Sequence, residues 1–264
     1  MKINFKISII TINLNNLTGL EKTANSIPFD NEIEWVVVDG LSTDGSLEFL
    51  ANCERKPDKL ISEKDSGIYD AMNKGIQLSN GEYINFMNTG DFFEETFFEN
   101  SLEKFNGTAD IIYGNTLLSD GDFFKNPPNL DFFYIFNKMI NHQSIFLKKD
   151  LLLKYPFDLK YKIVADWVQL FTVLKFEEPS TQYLDKTVCV FDITGYSSRF
   201  DDERKYEKSL FLKTIYSDWE LNDLSNYSKI RIRDWYHLVT RAIDSKILGS
   251  VFSLLNRVIR ICRI

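Results

Sequence analysis

Over the first half of the chain, short unbroken apolar runs alternate with stretches whose apolar positions recur three and four apart. Lys6–Ile12, Glu34–Val38 and Lys59–Ser62 are strand-length runs, and Glu82–Met87 is a fourth. Between them lie helix-like segments. Thr18 and Glu21 have capping-box spacing before a helix that ends ahead of Pro28, and Ser46–Asn52 predicts a short helix opened by Ser46. In the next helix Ile68, Ala71, Met72 and Ile76 form an apolar face, while Asp70, Asn73, Lys74 and Gln77 form a polar one. Asn80-Gly81 ends it. Strand and helix in turn predict βαβ units, hence an α/β fold with a Rossmann-like, largely parallel sheet flanked by helices.

Beyond Asp91 the pattern is more mixed. Phe92–Phe105 reads as a Phe- and Glu-rich helix, Asp110–Tyr113 as a short strand and Asp120–Leu130, with Pro127-Pro128, as a loop. Ser144–Leu147 and Thr187–Asp192 read as strands, with Ala165–Leu174 a helix between them. From about Asp201 onward the pattern is helical, so we expect a main domain over 1–200 and a helical C-terminal extension over 201–264.

Charge separates the same two regions. The net charge is −7, but residues 229 to 264 carry eight Lys/Arg against two Asp/Glu, leaving −13 on the rest. An acidic body argues against nucleic acid as a partner. In the tail, Lys246, Arg257, Arg260 and Arg263 fall on one helical face, opposite Ile247, Val251, Leu254, Leu255, Val258 and Cys262. Such a helix suits an anionic membrane surface, so peripheral contact through 246–264 is one expectation and packing on the domain the other. No run reaches the roughly 18 apolar residues of a membrane span, and Met1–Phe5 is too short and polar for a secretory leader. Cys53, Cys189 and Cys262 lack metal-ligand spacing and read as reduced thiols of a cytoplasmic protein. Two histidines cannot build a His-rich metal site.

Ligands of open α/β sheets bind at the carboxyl ends of the strands. Thr11, Asn13, Asp39 and Asp91 stand at such ends. Neither GxGxxG nor GxxxxGK[ST] occurs, which weakens dinucleotide and P-loop readings. A diphosphate bound among these acids would need its charge neutralised, and Mg²⁺ or Mn²⁺ on a carboxylate is the economical solution.

Three blocks carry a family resemblance: Ile7-Ser-Ile-Ile-Thr-Ile-Asn13, Val36-Val-Val-Asp-Gly-Leu-Ser-Thr-Asp-Gly-Ser46 and Ser62-Glu-Lys-Asp-Ser-Gly-Ile-Tyr-Asp-Ala-Met-Asn-Lys-Gly75. With Asn88-Thr-Gly-Asp91 following in order, about residues 5 to 195 resemble family 2 glycosyltransferases of the GT-A fold. The third block is similar to a bacterial subgroup that builds exopolysaccharide, capsule and lipopolysaccharide. The resemblance implies a nucleotide-sugar donor, with UDP the leading nucleotide, and a glycan or lipid-linked acceptor. It implies Thr11, Asn13, Asp39, Asp65, Asp70, Asn73, Lys74 and Asn88 on the donor side. It implies Asp91 as ligand of Mn²⁺ or Mg²⁺, where an amide at Asn88 replaces the usual first carboxylate. His142 and Gln143 would lie on the acceptor side. Asp166, in Ala165-Asp-Trp167, matches the base of an inverting single displacement. Asp44 is expected to support a turn. Two alternatives stay open at this point: a non-catalytic sugar-nucleotide-binding protein and a sugar-nucleotide nucleotidyltransferase.

Overall fold

A computed structural model describes residues 5–194 and 201–229. Contacts divide the chain into Met1–Arg204 and Lys205–Ile264. The basic amphipathic stretch 246–264 and Cys262 lie outside the described residues. Among the described residues no helix is long and apolar enough to cross a membrane.

The sheet begins as the alternation of patterns predicts. Strands β1 (Ile7–Asn13), β2 (Ile33–Asp39), β3 (Lys59–Ser62) and β4 (Tyr83–Phe86) pair in the parallel order β3-β2-β1-β4. Every residue of β1, β2 and β4 is buried, as expected of parallel strands covered on both faces. Between them lie helices α1 (Leu17–Ser26), α2 (Ser46–Asn52) and α3 (Ile68–Leu78). The apolar face of α3 packs on the sheet so closely that a Cβ on Gly75 would stand 2.5 Å from Ile10 Cγ2. Buried Glu34, an acid within β2, is held by the Ser8 hydroxyl and by the backbone and side-chain amides of Asn80.

Both helix starts differ from the sequence reading. Asn16, not Thr18, caps α1, its Oδ1 accepting from Gly19 N at 3.1 Å. At α2 the cap position is Gly45, and Ser46 is the first helical residue, its hydroxyl donating to Asp44 Oδ1 at 2.6 Å. Asp44 supports the turn as expected and also accepts from Leu17 N at 2.8 Å, tying the starts of α1 and α2 together.

The second half of the sheet is mixed. After β4 the order continues β8-β6-β9-β5, made of β5 (Phe92–Phe93), β6 (Ile111–Leu118), β8 (Ile145–Lys148) and β9 (Thr181–Phe191). Strand β8 is antiparallel to β4 and β6, whereas β6 and β9 run parallel. The helix expected over Phe92–Phe105 does not form. Phe92 and Phe93 pair with Val190 and Cys189 of β9, and turns carry the chain to a 3-10 turn at Leu102–Lys104. The reason is tertiary: Phe93, Phe97, Phe105 and Phe146 pack into one aromatic cluster, with Phe98 against it. The Asp120–Leu130 loop contains a short strand, β7 (Phe123–Phe124), paired with β6. Helices α4 (Phe132–Asn137), α5 (Lys149–Lys154) and α6 (Ala165–Phe176) complete this half. Helices α7 (Asp201–Ile215) and α8 (Asp218–Lys229) follow.

Candidate active site

The parallel ladder brings the ends of β1, β2 and β3 into register, Asn13 beside Asp39 and Asp39 beside Ser62. Asp39 is fully buried and accepts from Asn13 Nδ2 at 2.9 Å, Ser42 N at 2.9 Å and Ser62 Oγ at 2.9 Å. Burial alone would raise its pKa, but these donors bring the carboxyl below its ordinary value. In this conformation Asp39 is a tie that closes the 40–42 turn rather than an open ligand group. Asn13 shares that role, since its Nδ2 also donates to Ser42 Oγ at 3.0 Å.

Two predicted donor residues are engaged by neighbouring groups of the protein. Thr11 is completely buried and accepts from the Trp35 indole at 3.0 Å, because its β1 position faces the core. Asn73 uses both ends of its amide on the backbone of Phe157, with Nδ2 donating to the carbonyl at 2.9 Å and Oδ1 accepting from N at 3.0 Å. The rest of that helix face is electrostatic. Lys74 pairs with Asp65 at 2.7 Å and Glu63 at 2.8 Å and lies 3.6 Å from Asp70. Hydrogen bonds to Asp65 and Glu63 raise the Lys74 pKa, so the ammonium stays charged. Asp70 also accepts from Ser66 N at 2.8 Å and thereby closes the turn before α3.

At the end of β4, Gly90 takes a left-handed φ of +105°, which a glycine adopts without strain. The turn carries Asp91 inward, where it is 5% exposed. Its Oδ2 accepts from Gln143 Nε2 at 2.6 Å and its Oδ1 from Asp192 N at 2.8 Å. Burial outweighs both bonds and pushes the Asp91 pKa up to about 6. The carboxyl is thus short of positive charge. Asp192, just past β9, places Oδ2 3.3 Å from where a Cβ on Gly90 would stand. Sequence reasoning passed over Asp192 as the end of a strand. Asn88 Oδ1 is buried without a partner.

Among the described residues no group of three or more His, Cys, Asp or Glu side chains is arranged to hold a metal ion. The available donors are still all oxygen: the carboxylates of Asp91 and Asp192 and Asn88 Oδ1, which has no partner among the described residues. That set fits Mg²⁺ or Mn²⁺, which combine one or two protein carboxylates with substrate phosphates.

The second cluster joins residues far apart in sequence. Asp166 opens α6 and is 9% exposed. His142 lies in a 3-10 turn (His142–Ser144) before β8. Its Nδ1 is 3.0 Å from Asp166 Oδ2, and its Nε2 is 3.0 Å from Asn88 Nδ2. With Asn88 donating to Nε2, the ring proton sits on Nδ1 and donates to Asp166. Asp166 Oδ1 accepts from the Tyr69 hydroxyl at 3.0 Å and from Trp167 N at 2.8 Å. Burial would raise the Asp166 pKa, but the hydrogen bond and charge of His142, with Trp167 N and Tyr69, bring it below the ordinary value. Tyr69 was invisible as a site residue because it reads as one more aromatic near the apolar face of α3. A small, largely apolar cavity of about 20 Å³, partly open to solvent, adjoins Asp166 and His142.

A mixed sheet flanked by helices, with polar clusters at its strand ends, is a GT-A-like architecture. The sequence profile of glycosyl transferase family 2 matches residues 8–176, and the chain belongs to that family: it is a glycosyltransferase. A PGL/p-HBAD biosynthesis glycosyltransferase of Mycobacterium bovis is 30% identical over 220 residues, 78% of this chain and 84% of that protein. Among solved structures, Staphylococcus aureus TarS 1–349 in complex with UDP-GlcNAc superposes with a TM-score of 0.65 at 17% identity, covering 83% of this chain and 70% of TarS 1–349. The mannosyltransferase PcManGT of Pyrobaculum calidifontis, in complex with GDP-Man and Mn²⁺, superposes with a TM-score of 0.54 at 17% identity, covering 72% and 57%.

Proposed function

We propose that this glycosyltransferase inverts the anomeric centre as it moves a sugar from a nucleotide-diphosphate donor, UDP first among them, to a hydroxyl of a glycan or lipid-linked acceptor in cell-surface polysaccharide assembly. The observation that carries the reading is Asp166, a buried carboxylate kept ionised by three hydrogen-bond donors at the edge of a small, partly open cavity. A carboxylate offers about four lone-pair sites, and three donors leave one for the acceptor hydroxyl. That hydroxyl must lose its proton as it attacks, and Asp166 takes it. His142 and Tyr69 position the carboxylate and do not themselves react.

On the donor side, Asp65, Asp70 and Lys74 form a net acidic wall beside the Asp39 turn. Lys74 is its cation and faces the diphosphate. Asp91, Asp192 and Asn88 would hold Mn²⁺ or Mg²⁺, which supplies Lewis-acid stabilisation to the departing nucleoside diphosphate. The donors held by the two structural neighbours, one with Mn²⁺, are consistent with this reading. Gln143 fixes Asp91 while its neighbour His142 fixes Asp166, so one turn supports both halves.

A panel of nucleotide sugars with Mn²⁺, read as released nucleoside diphosphate and by NMR of the product's anomeric configuration, tests the proposal. Retention of configuration would sink the single displacement. Release of pyrophosphate would favour nucleotidyl transfer instead.

A further inference from the structure

The turn at the end of β4 and the base share one side chain. Asn88 belongs to the turn that carries Asp91 inward, and the resemblance puts it on the donor side. Its amide has a second connection. Nδ2 lies 3.0 Å from His142 Nε2, and His142 Nδ1 lies 3.0 Å from Asp166 Oδ2. Backbone bonds anchor the segments at both ends of this chain. The Asn88 carbonyl accepts from Asp91 N at 3.0 Å, which closes the β4 turn. Opposite it, Asn85 Nδ2 donates at 2.9 Å to the carbonyls of Gln143 and Ile145, pinning the His142 turn to β4. The ring is thus held between an amide and a carboxylate, each on an anchored segment.

Hydrogen-bond chemistry decides which nitrogen carries the ring's hydrogen. An ionised carboxylate only accepts, so the nitrogen facing Asp166 must be the N–H. A neutral ring then turns a bare Nε2 toward residue 88, and only a donor satisfies it. The Asn88 amide supplies that donor; a carboxylate in its place could not. We propose that Asn88 is a positioning residue for the base: its N–H holds His142 in the tautomer whose Nδ1–H faces Asp166. An acid at position 88 would draw a hydrogen onto Nε2. The ring would then either surrender its Nδ1 hydrogen, leaving Asp166 one donor short, or become an imidazolium, which makes Asp166 a weaker base. Substitution of a residue in the donor-side turn therefore acts on the proton transfer. The inference rests on the reading of Asp166 as the base.

Nitrogen-15 NMR of the full chain, without metal or donor, reads the tautomer directly, because the sequence has only two histidines, His142 and His237. His237→Gln assigns the His142 signals. At about pH 8.5, some two units above the ordinary imidazole pKa, wild type is expected to show hydrogen on Nδ1 and a bare Nε2. Asn88→Asp is expected to show hydrogen on Nε2. A wild-type ring with hydrogen on Nε2, or an Asn88→Asp ring identical with wild type, overturns the proposal. Turnover gives a second reading. Asn88→Asp keeps an oxygen ligand for a cation, so a residue serving the donor alone would retain kcat in this variant. The expected result is a kcat lower by about tenfold or more, with donor KM close to wild type. In a His142→Ala background the same substitution should cost no further kcat. Full kcat in Asn88→Asp, or an equal loss in both backgrounds, overturns the proposal. If the acid prevents folding, uncharged Asn88→Leu enters the same cycle. Asp166→Asn is assayed separately: wild-type turnover there removes the base reading, whereas the tautomer is read without turnover.

Discussion

The donor-side wall and the acceptor-side cavity are built on opposite principles. Around Asp39, Asp65 and Lys74 the acids already have partners: Asn13, Ser42 and Ser62 hold Asp39, and Lys74 pairs with Asp65 and Glu63. Around Asp166 and the β4 turn, Asn88 Oδ1, Gln143 Oε1 and Gln169 Nε2 are buried without partners among the described residues, and burial raises the Asp91 carboxyl to about 6. In the first region the acids are held, and Asn13 Oδ1 is the one buried side-chain oxygen of the Asp39 cluster left without a partner among the described residues. The second is held short of satisfaction, and groups in that condition gain most when a ligand or cation arrives. On this view substitutions on the donor wall register mainly as stability and donor affinity, and substitutions beside the cavity register as rate.

The sharpest way to break that contrast is Asp166→Asn. Loss of a positioned base is expected to lower kcat by about 10²–10⁴-fold, with donor KM nearly unchanged and a lower melting temperature, since the carboxylate also serves three donors. A large rise in donor KM would show that the two regions are not separable. His142→Ala comes next, with a loss of about tenfold in kcat and a moved pH profile. His142 helps hold the Asp166 pKa below its ordinary value of 3.8, against the upward push of burial. Removing the ring leaves that push less opposed, so the acidic limb of kcat should shift to higher pH. The stability link has the matching sign. A depressed carboxyl stabilises the fold above its unfolded pKa, and that support is lost as pH falls through the lower folded value. Wild type should therefore lose more of its stability advantage over His142→Ala on acidification, measurable by urea unfolding at several pH values. An unmoved acidic limb would remove His142 from its positioning role.

Two smaller effects concern the donor wall. Asn73→Ala breaks both bonds to the Phe157 backbone and should cost about 1–3 kcal/mol in urea unfolding, with kcat per folded molecule retained. Lys74→Met should change stability by about 1 kcal/mol or less, since partly exposed ion pairs are worth little. Its donor KM should rise, by a factor that shrinks at high salt. A Lys74→Met enzyme with unchanged donor KM would make the residue a simple surface tie.

The N-terminal half was legible because its strands are buried on both faces and read as continuous apolar runs, bounded by Asp39-Gly40 and Asn80-Gly81. The region after Asp91 was not. Phe92, Phe93, Phe97, Phe98 and Phe105 can be laid on a helix, and only contact with Phe146 decides that they form a cluster instead. Helix α5 was hidden because Lys149, Asp150 and Lys154 leave only three leucines to signal it. In the site, Asp166 and His142 were named by resemblance, but the bond between them joins segments 24 residues apart and has no sequence signature. Tyr69 and Asp192 were missed for a related reason. Each gains its meaning from what lies opposite, Asp166 in one case and Gly90 in the other.

The Asp91 turn also bears on when the site comes into being. Its carbonyl accepts from Thr23, and its carboxyl accepts from Gln143 and Asp192, so one residue gathers positions 68, 52 and 101 residues away. Closing loops of that length is entropically expensive and comes late in folding. The β1–β4 pairing also joins distant positions, Ile7 with Tyr83, but it needs only the first 86 residues, whereas this junction cannot close before Asp192 has been made. The catalytic centre is thus one of the last features to assemble, and an incompletely synthesised chain would fold its donor wall without acquiring a working enzyme.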